Sequence, residues 1–136
     1  MATGQEVKRL LAEWESKRKE MLAQLSELTP EQLNAQAEGG RSVREMMHRV
    51  VDHDKDSRQH LMAMRRGVGS QQNDVNRLLE QIQASQGELA ANLAGLEDEY
   101  LDKEWQSGEW TVRQLMDHLA RVDTFFLSGI NKALGR

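Results

Sequence analysis

The chain has four histidines, His48, His53, His60 and His118, and three of them stand among acidic side chains. In the stretch from His48 to His60, His53, Asp56 and His60 recur at i, i+3, i+7, and His48 and Asp52 at i, i+4. On a helix each set would share a face. Imidazole and carboxylate together suit a divalent cation such as zinc, nickel or iron(II), so His48, His53 and His118 are candidate ligands. The bland alternative for the same pattern is a solvated, charged helix face.

A second set of polar residues interrupts the apolar periodicity. Lys17 and Arg18 stand where one stripe asks for an apolar residue, Ser85 and Gln86 where another does; His53, Asp54 and Ser57 break a third, and Asp123 a fourth. Polar groups at one level of a helical core cost free energy unless they are paired, and Arg18 with Asp54 or Asp123 is the expected pairing. Two readings stay open. The layer is either a structural ion-pair seam or the floor of a pocket for a small-molecule ligand, lined by Arg18, His53, Asp54, Ser57 and Asp123.

The elements that position these residues are helices. Apolar side chains recur at spacings of three and four, while most glycines and the single proline sit at the joints. Helix one is expected from Gln5 to Leu28, ending before Thr29-Pro30. Thr29 then caps a short helical turn with Pro30 in its first position. Helix two starts after Ser42, the N-cap of a capping box with Glu45, and runs to Arg66. A tight Gly67-Val68-Gly69-Ser70 link leads to helix three, Gln72 to Leu96, as its antiparallel neighbour. Helix four, opened by Thr111 with Gln114, runs to Leu134. No strand pattern occurs. The expectation is all-α: a single domain over residues 1–136, a four-helix bundle with two long crossover loops.

The chain also repeats itself. A shift of 68 positions lays Val7, Leu10, Leu11, Ala23, Leu25 and Leu28 onto Val75, Leu78, Leu79, Ala91, Leu93 and Leu96; after one insertion, Ser42-Val43-Arg44-Glu45 meets Thr111-Val112-Arg113-Gln114. The bundle is thus read as two repeated helical hairpins, about 5–67 and 72–136. The copies differ where chemistry would sit: His53 faces Val122 in the alignment, and Ser57 faces Phe126.

Composition narrows the function classes. With no cysteine, disulfides and thiol chemistry are excluded, which suits a reducing compartment, and the cytoplasm is the expected location. A net charge of −4 with both signs interspersed speaks against a nucleic-acid partner. No apolar stretch approaches the ~20 residues of a membrane span, and the opening residues Met1 to Leu10 contain no apolar run, so neither a leader nor a membrane partner is expected. A homodimer is compatible with such a bundle, although no self-complementary patch stands out. Phosphate-binding glycine loops, a G-x-S-x-G elbow and an H-E-x-x-H helix are all missing from the sequence. Trp110, just before the Thr111 cap, is expected to pack as a hydrophobic staple.

Glu109-Trp110-Thr111-Val112-Arg113-Gln114-Leu115-Met116-Asp117-His118 and, more loosely, Arg41-Ser42-Val43-Arg44-Glu45-Met46-Met47-His48 resemble the W-[ST]-x-R-[EQ]-x-x-x-H helix start of the DinB/YfiT-like superfamily. That resemblance implies a bundle of up-down-down-up order. It also implies a divalent metal, zinc or nickel, between helices two and four, and activity as a metal-dependent hydrolase or thiol transferase. The family's first ligand histidine lies seven positions after the capping residue, which is Arg49 in the first copy and His118 in the second. The H-x-x-x-H continuation of helix four meets Val122 and Phe126. The site is therefore degenerate. An alternative ligand set is His53 with His118 and Asp54 or Asp123, and the alternative function is a non-catalytic binding or stress-associated bundle with a structural polar layer.

Overall fold

A computed structural model describes residues 4–70 and 72–136 of the chain. Four α-helices carry it: α1 (Gln5–Leu25), α2 (Val43–Gly67), α3 (Asp74–Asn92) and α4 (Val112–Ala133), with short 3₁₀ turns at Glu31–Asn34, Glu38–Gly40 and Asp98–Tyr100. Among the described residues extended pairing is confined to one isolated bridge, Gln36 with Ser42. The chain divides into two units, Met1–Ala94 with α1 to α3 and Gly95–Arg136 with α4.

The helix starts follow from side-chain capping. The Ser42 hydroxyl accepts from the Glu45 backbone N–H at 3.1 Å. Thr111 and Gln114 cap each other reciprocally at 3.2 and 2.9 Å, as do Asn73 and Asn76 at 2.9 and 3.1 Å. Each pair satisfies N–H groups that a helix start leaves without an internal partner. Thr29 and Gln32 do the same for the first 3₁₀ turn, at 3.3 and 2.9 Å.

Two helix ends fall short of the sequence expectation. α1 stops at Leu25 rather than Leu28, where the Ser26 hydroxyl donates back to the Ala23 carbonyl at 2.8 Å. α3 stops at Asn92 rather than Leu96, where the Asn92 amide donates to the Glu88 carbonyl at 2.9 Å. Both side chains offer a backbone carbonyl an alternative to the next helical turn.

In the first unit, the link between α1 and α2 folds back on itself. Ala37 N–H donates to the Arg41 carbonyl and Val43 N–H to the Ala35 carbonyl, at 2.6 and 2.9 Å. The reversal between them needs the left-handed backbone of Gly39 and Gly40, at φ 79° and 77°. It brings the end of α1 to the start of α2, where Met21, Leu25, Leu28, Leu33, Val43, Met47 and Val50 are half-buried. The N-terminal part of the α1 stripe, Val7, Leu11 and Trp14, is exposed. Between α2 and α3, Arg58 and Glu80 approach to 3.8 Å, and Arg65 donates to the Ser70 hydroxyl at 3.2 Å across the turn.

In the second unit, the Arg113 backbone N–H donates to the Leu101 carbonyl at 3.1 Å. The Arg113 side chain pairs with Asp102 at 2.8 Å. These bonds hold the Asp98–Tyr100 turn against the first turn of α4, where Leu101, Thr111 and Val112 are half-buried, as are His118, Leu119 and Val122 further along the helix. No helix among the described residues is long and apolar enough to cross a membrane.

Candidate functional site

A cavity of about 600 Å³ opens between α1 and α2, within the size range of small-molecule pockets. One helical face of each element builds it. α1 contributes Trp14, Lys17, Arg18 and Met21, and α2 contributes Met46, Arg49, Val50, Asp52, His53, Asp54 and Asp56. The spacings i, i+3, i+4, i+7 on α1 and, from Met46 to Asp54, i, i+3, i+4, i+7, i+8 on α2 put these side chains on one stripe of each helix.

Within it, Arg18 is held by two partners, Asp54 and Trp14. Its two terminal nitrogens donate to the two Asp54 oxygens at 2.8 and 2.9 Å, a bidentate fork. Its guanidinium carbon lies 5.2 Å from the centroid of the Trp14 ring, within cation–π reach. The hydrogen bonds from Arg18 hold the Asp54 carboxyl below its ordinary range against the opposing effect of burial, and the charges of Arg18 and His53 add to them. The same bonds raise Arg18.

The polar residues expected to share a layer divide between the units. Arg18, His53 and Asp54 line this cavity. Ser57 lies one turn further along α2, its hydroxyl 3.4 Å from His53 Nδ1, with both residues exposed. His48 is on α2 but does not line the cavity. His118 and Asp123 are on α4 in the second unit. There the Trp110 ring meets His118, with centroids 4.6 Å apart and planes tilted by 56°. Trp110 therefore packs two turns into α4 on an imidazole, rather than stapling the first turn alone.

Several lining residues were not singled out by sequence reasoning. Trp14 and Met21 read as ordinary stripe residues, and Arg49 as a departure from a ligand motif. The available signal was their period: each shares a helical face with Arg18 or Asp54. What the sequence did not carry was the pairing of α1 with α2.

The residues do not fit the metal centre that the family resemblance implies. Arg49, a cation, occupies the first ligand position, and Val122 and Phe126 occupy two others. Both oxygens of Asp54 accept from Arg18. Among the described residues, no group of three or more His, Cys, Asp or Glu side chains is placed to hold a metal ion. Serine chemistry lacks support as well: the 3.4 Å approach of Ser57 to His53 is long, and among the described residues no third group hydrogen-bonds that imidazole to orient it.

No family model, curated protein or solved structure matches the chain.

Proposed function

We propose that the protein is a DinB-like four-helix bundle, built from two copies of one hairpin, that binds a small zwitterionic molecule in the α1–α2 cavity without carrying out chemistry on it. The observation that carries this reading is the bidentate Arg18–Asp54 pair lying on Trp14 at the centre of the cavity. The pair neutralises itself and leaves the cations Lys17 and Arg49 and the carboxylates Asp52 and Asp56 in the lining without a close ionic partner among the described residues. A ligand bearing both signs would match them, while Met21, Met46 and Val50 receive its apolar part.

The test is a titration of the isotopically labelled protein with a panel of free amino acids, followed by backbone amide shifts. Saturable shifts confined to residues 14–21 and 46–56 are expected, with at least about tenfold weaker binding, some 1.4 kcal/mol, in Lys17→Gln/Arg49→Gln. Shifts scattered over the surface, or unchanged affinity in that variant, would overturn the proposal. So would thermal stabilisation by added zinc or nickel that disappears in His53→Ala or His118→Ala, which would restore the metal-dependent reading.

A further inference from the structure

The α2–α3 hairpin carries a second concavity, of about 1040 Å³, and its charge is unlike that of the rest of the protein. Four arginines, Arg58, Arg65, Arg66 and Arg77, line it, against the single carboxylate of Glu80. The whole chain is net acidic, at −4, so an excess of positive charge in one cleft is a local feature.

Neighbouring carboxylates take up only part of this charge. Arg58 and Glu80 approach only to 3.8 Å, and both are exposed. Arg77 reaches Asp74 at 3.2 Å on its own helix, and Arg65 donates to a neutral hydroxyl, that of Ser70. Arg66 makes no ion pair among the described residues.

Helix-end electrostatics explain only half of the set. Arg65 and Arg66 stand in the last turn of α2, where cations complement the carbonyl end. Arg58 lies more than a turn away from that end. Arg77 stands close to the N-terminus of α3, where a cation opposes the helix dipole and an anion is favoured. The internal comparison points the same way: 69 positions after Arg58, Arg65 and Arg66 stand Leu127, Leu134 and Gly135. The first copy alone has these three cations.

We propose that this cleft is a binding site for a small, multiply charged anion, a polyphosphate or polycarboxylate group held by Arg58, Arg65, Arg66 and Arg77. Guanidinium forks match phosphate and carboxylate oxygens bidentately. Leu61, Met62 and Leu79 give the wall of the cleft an apolar strip for an organic part attached to the anion. This site is separate from the α1–α2 cavity, and its failure leaves the reading of that cavity untouched.

The experiment is calorimetric titration of the full chain with sodium tripolyphosphate and, in a parallel arm, with citrate, at low and at physiological salt. Saturable binding to at least one probe is expected, weakening as salt rises. The stronger probe identifies phosphate or carboxylate as the group preferred. Arg58→Gln/Arg66→Gln should bind at least about tenfold more weakly, with helicity by circular dichroism unchanged. Arg58→Lys/Arg66→Lys should bind with intermediate affinity, because charge is kept and the fork is lost. Lys8→Gln/Lys103→Gln, which removes as much charge elsewhere, should bind as the parent does. Absence of binding to both probes would overturn the proposal. So would equal weakening by the Lys8/Lys103 variant, which would indicate unspecific attraction.

Discussion

Arg18 illustrates how much of a residue's role is set by what surrounds it. Its side chain is 27% exposed and that of Asp54 is 41% exposed, so solvent screens the pair well below what a fully buried fork would contribute. Asp54→Ala is expected to destabilise the protein by about 1–2 kcal/mol at neutral pH, less than the ~3–5 kcal/mol of a broken buried pair. Arg18→Met with Asp54→Leu should cost less than the sum of the two single changes, because the double variant leaves no half-buried charge without its partner. Urea unfolding of the four proteins measures the coupling, and strict additivity would show that the fork contributes nothing of its own. The sequence made Arg18 conspicuous because a cation broke an apolar stripe. It left open whether Asp54 or Asp123 was the partner, since that choice depends on which helices pair.

At the scale of elements, capping chemistry was legible in the sequence because it is local: Ser42 with Glu45 and Thr111 with Gln114 bond within three residues of themselves. The ends of α1 and α3 were less so, because Ser26 and Asn92 act by turning back onto their own helices, which spacing does not encode. The cavity was least legible, since it needs two helices to choose each other. Glycines separate these effects cleanly. Gly87 lies inside α3 with nothing within 4 Å of an added Cβ, so Gly87→Ala should stabilise the protein by about 1 kcal/mol through helix propensity alone. Gly108 also has open space around it but stands at φ +80°, so Gly108→Ala should destabilise by about 1–2 kcal/mol. Shifts of the same sign in the two urea midpoints would contradict this account of either position.

Across the whole molecule, arginine pairing sets the response to acid. Glu6 is held below its ordinary range by Arg9, Asp54 by Arg18 and Asp102 by Arg113. A carboxylate with a lowered value in the folded chain binds protons less readily than its unfolded counterpart, whose value is about 4. The stabilisation is therefore complete above about pH 4 and is lost as pH falls through the lowered folded values. Urea midpoints should fall as pH drops below about 4, and Asp54→Asn should remove most of that slope, because the Glu6 and Asp102 pairs are exposed and weak. An unchanged slope in Asp54→Asn would place the acid sensitivity elsewhere.

The three tryptophans are distributed so that each meets a different chemistry. Trp14 lies under the Arg18 guanidinium, Trp110 against the His118 imidazole, and Trp105 is 74% exposed. Indole emission responds to contact with cationic and imidazole groups and to water, so the protein carries its own optical probes. The Trp14 signal reports on the α1–α2 cavity and the Trp110 signal on the start of α4, while Trp105 gives a solvent reference. Replacing any two of them by phenylalanine isolates the third, which allows events in either unit to be followed without attaching a dye.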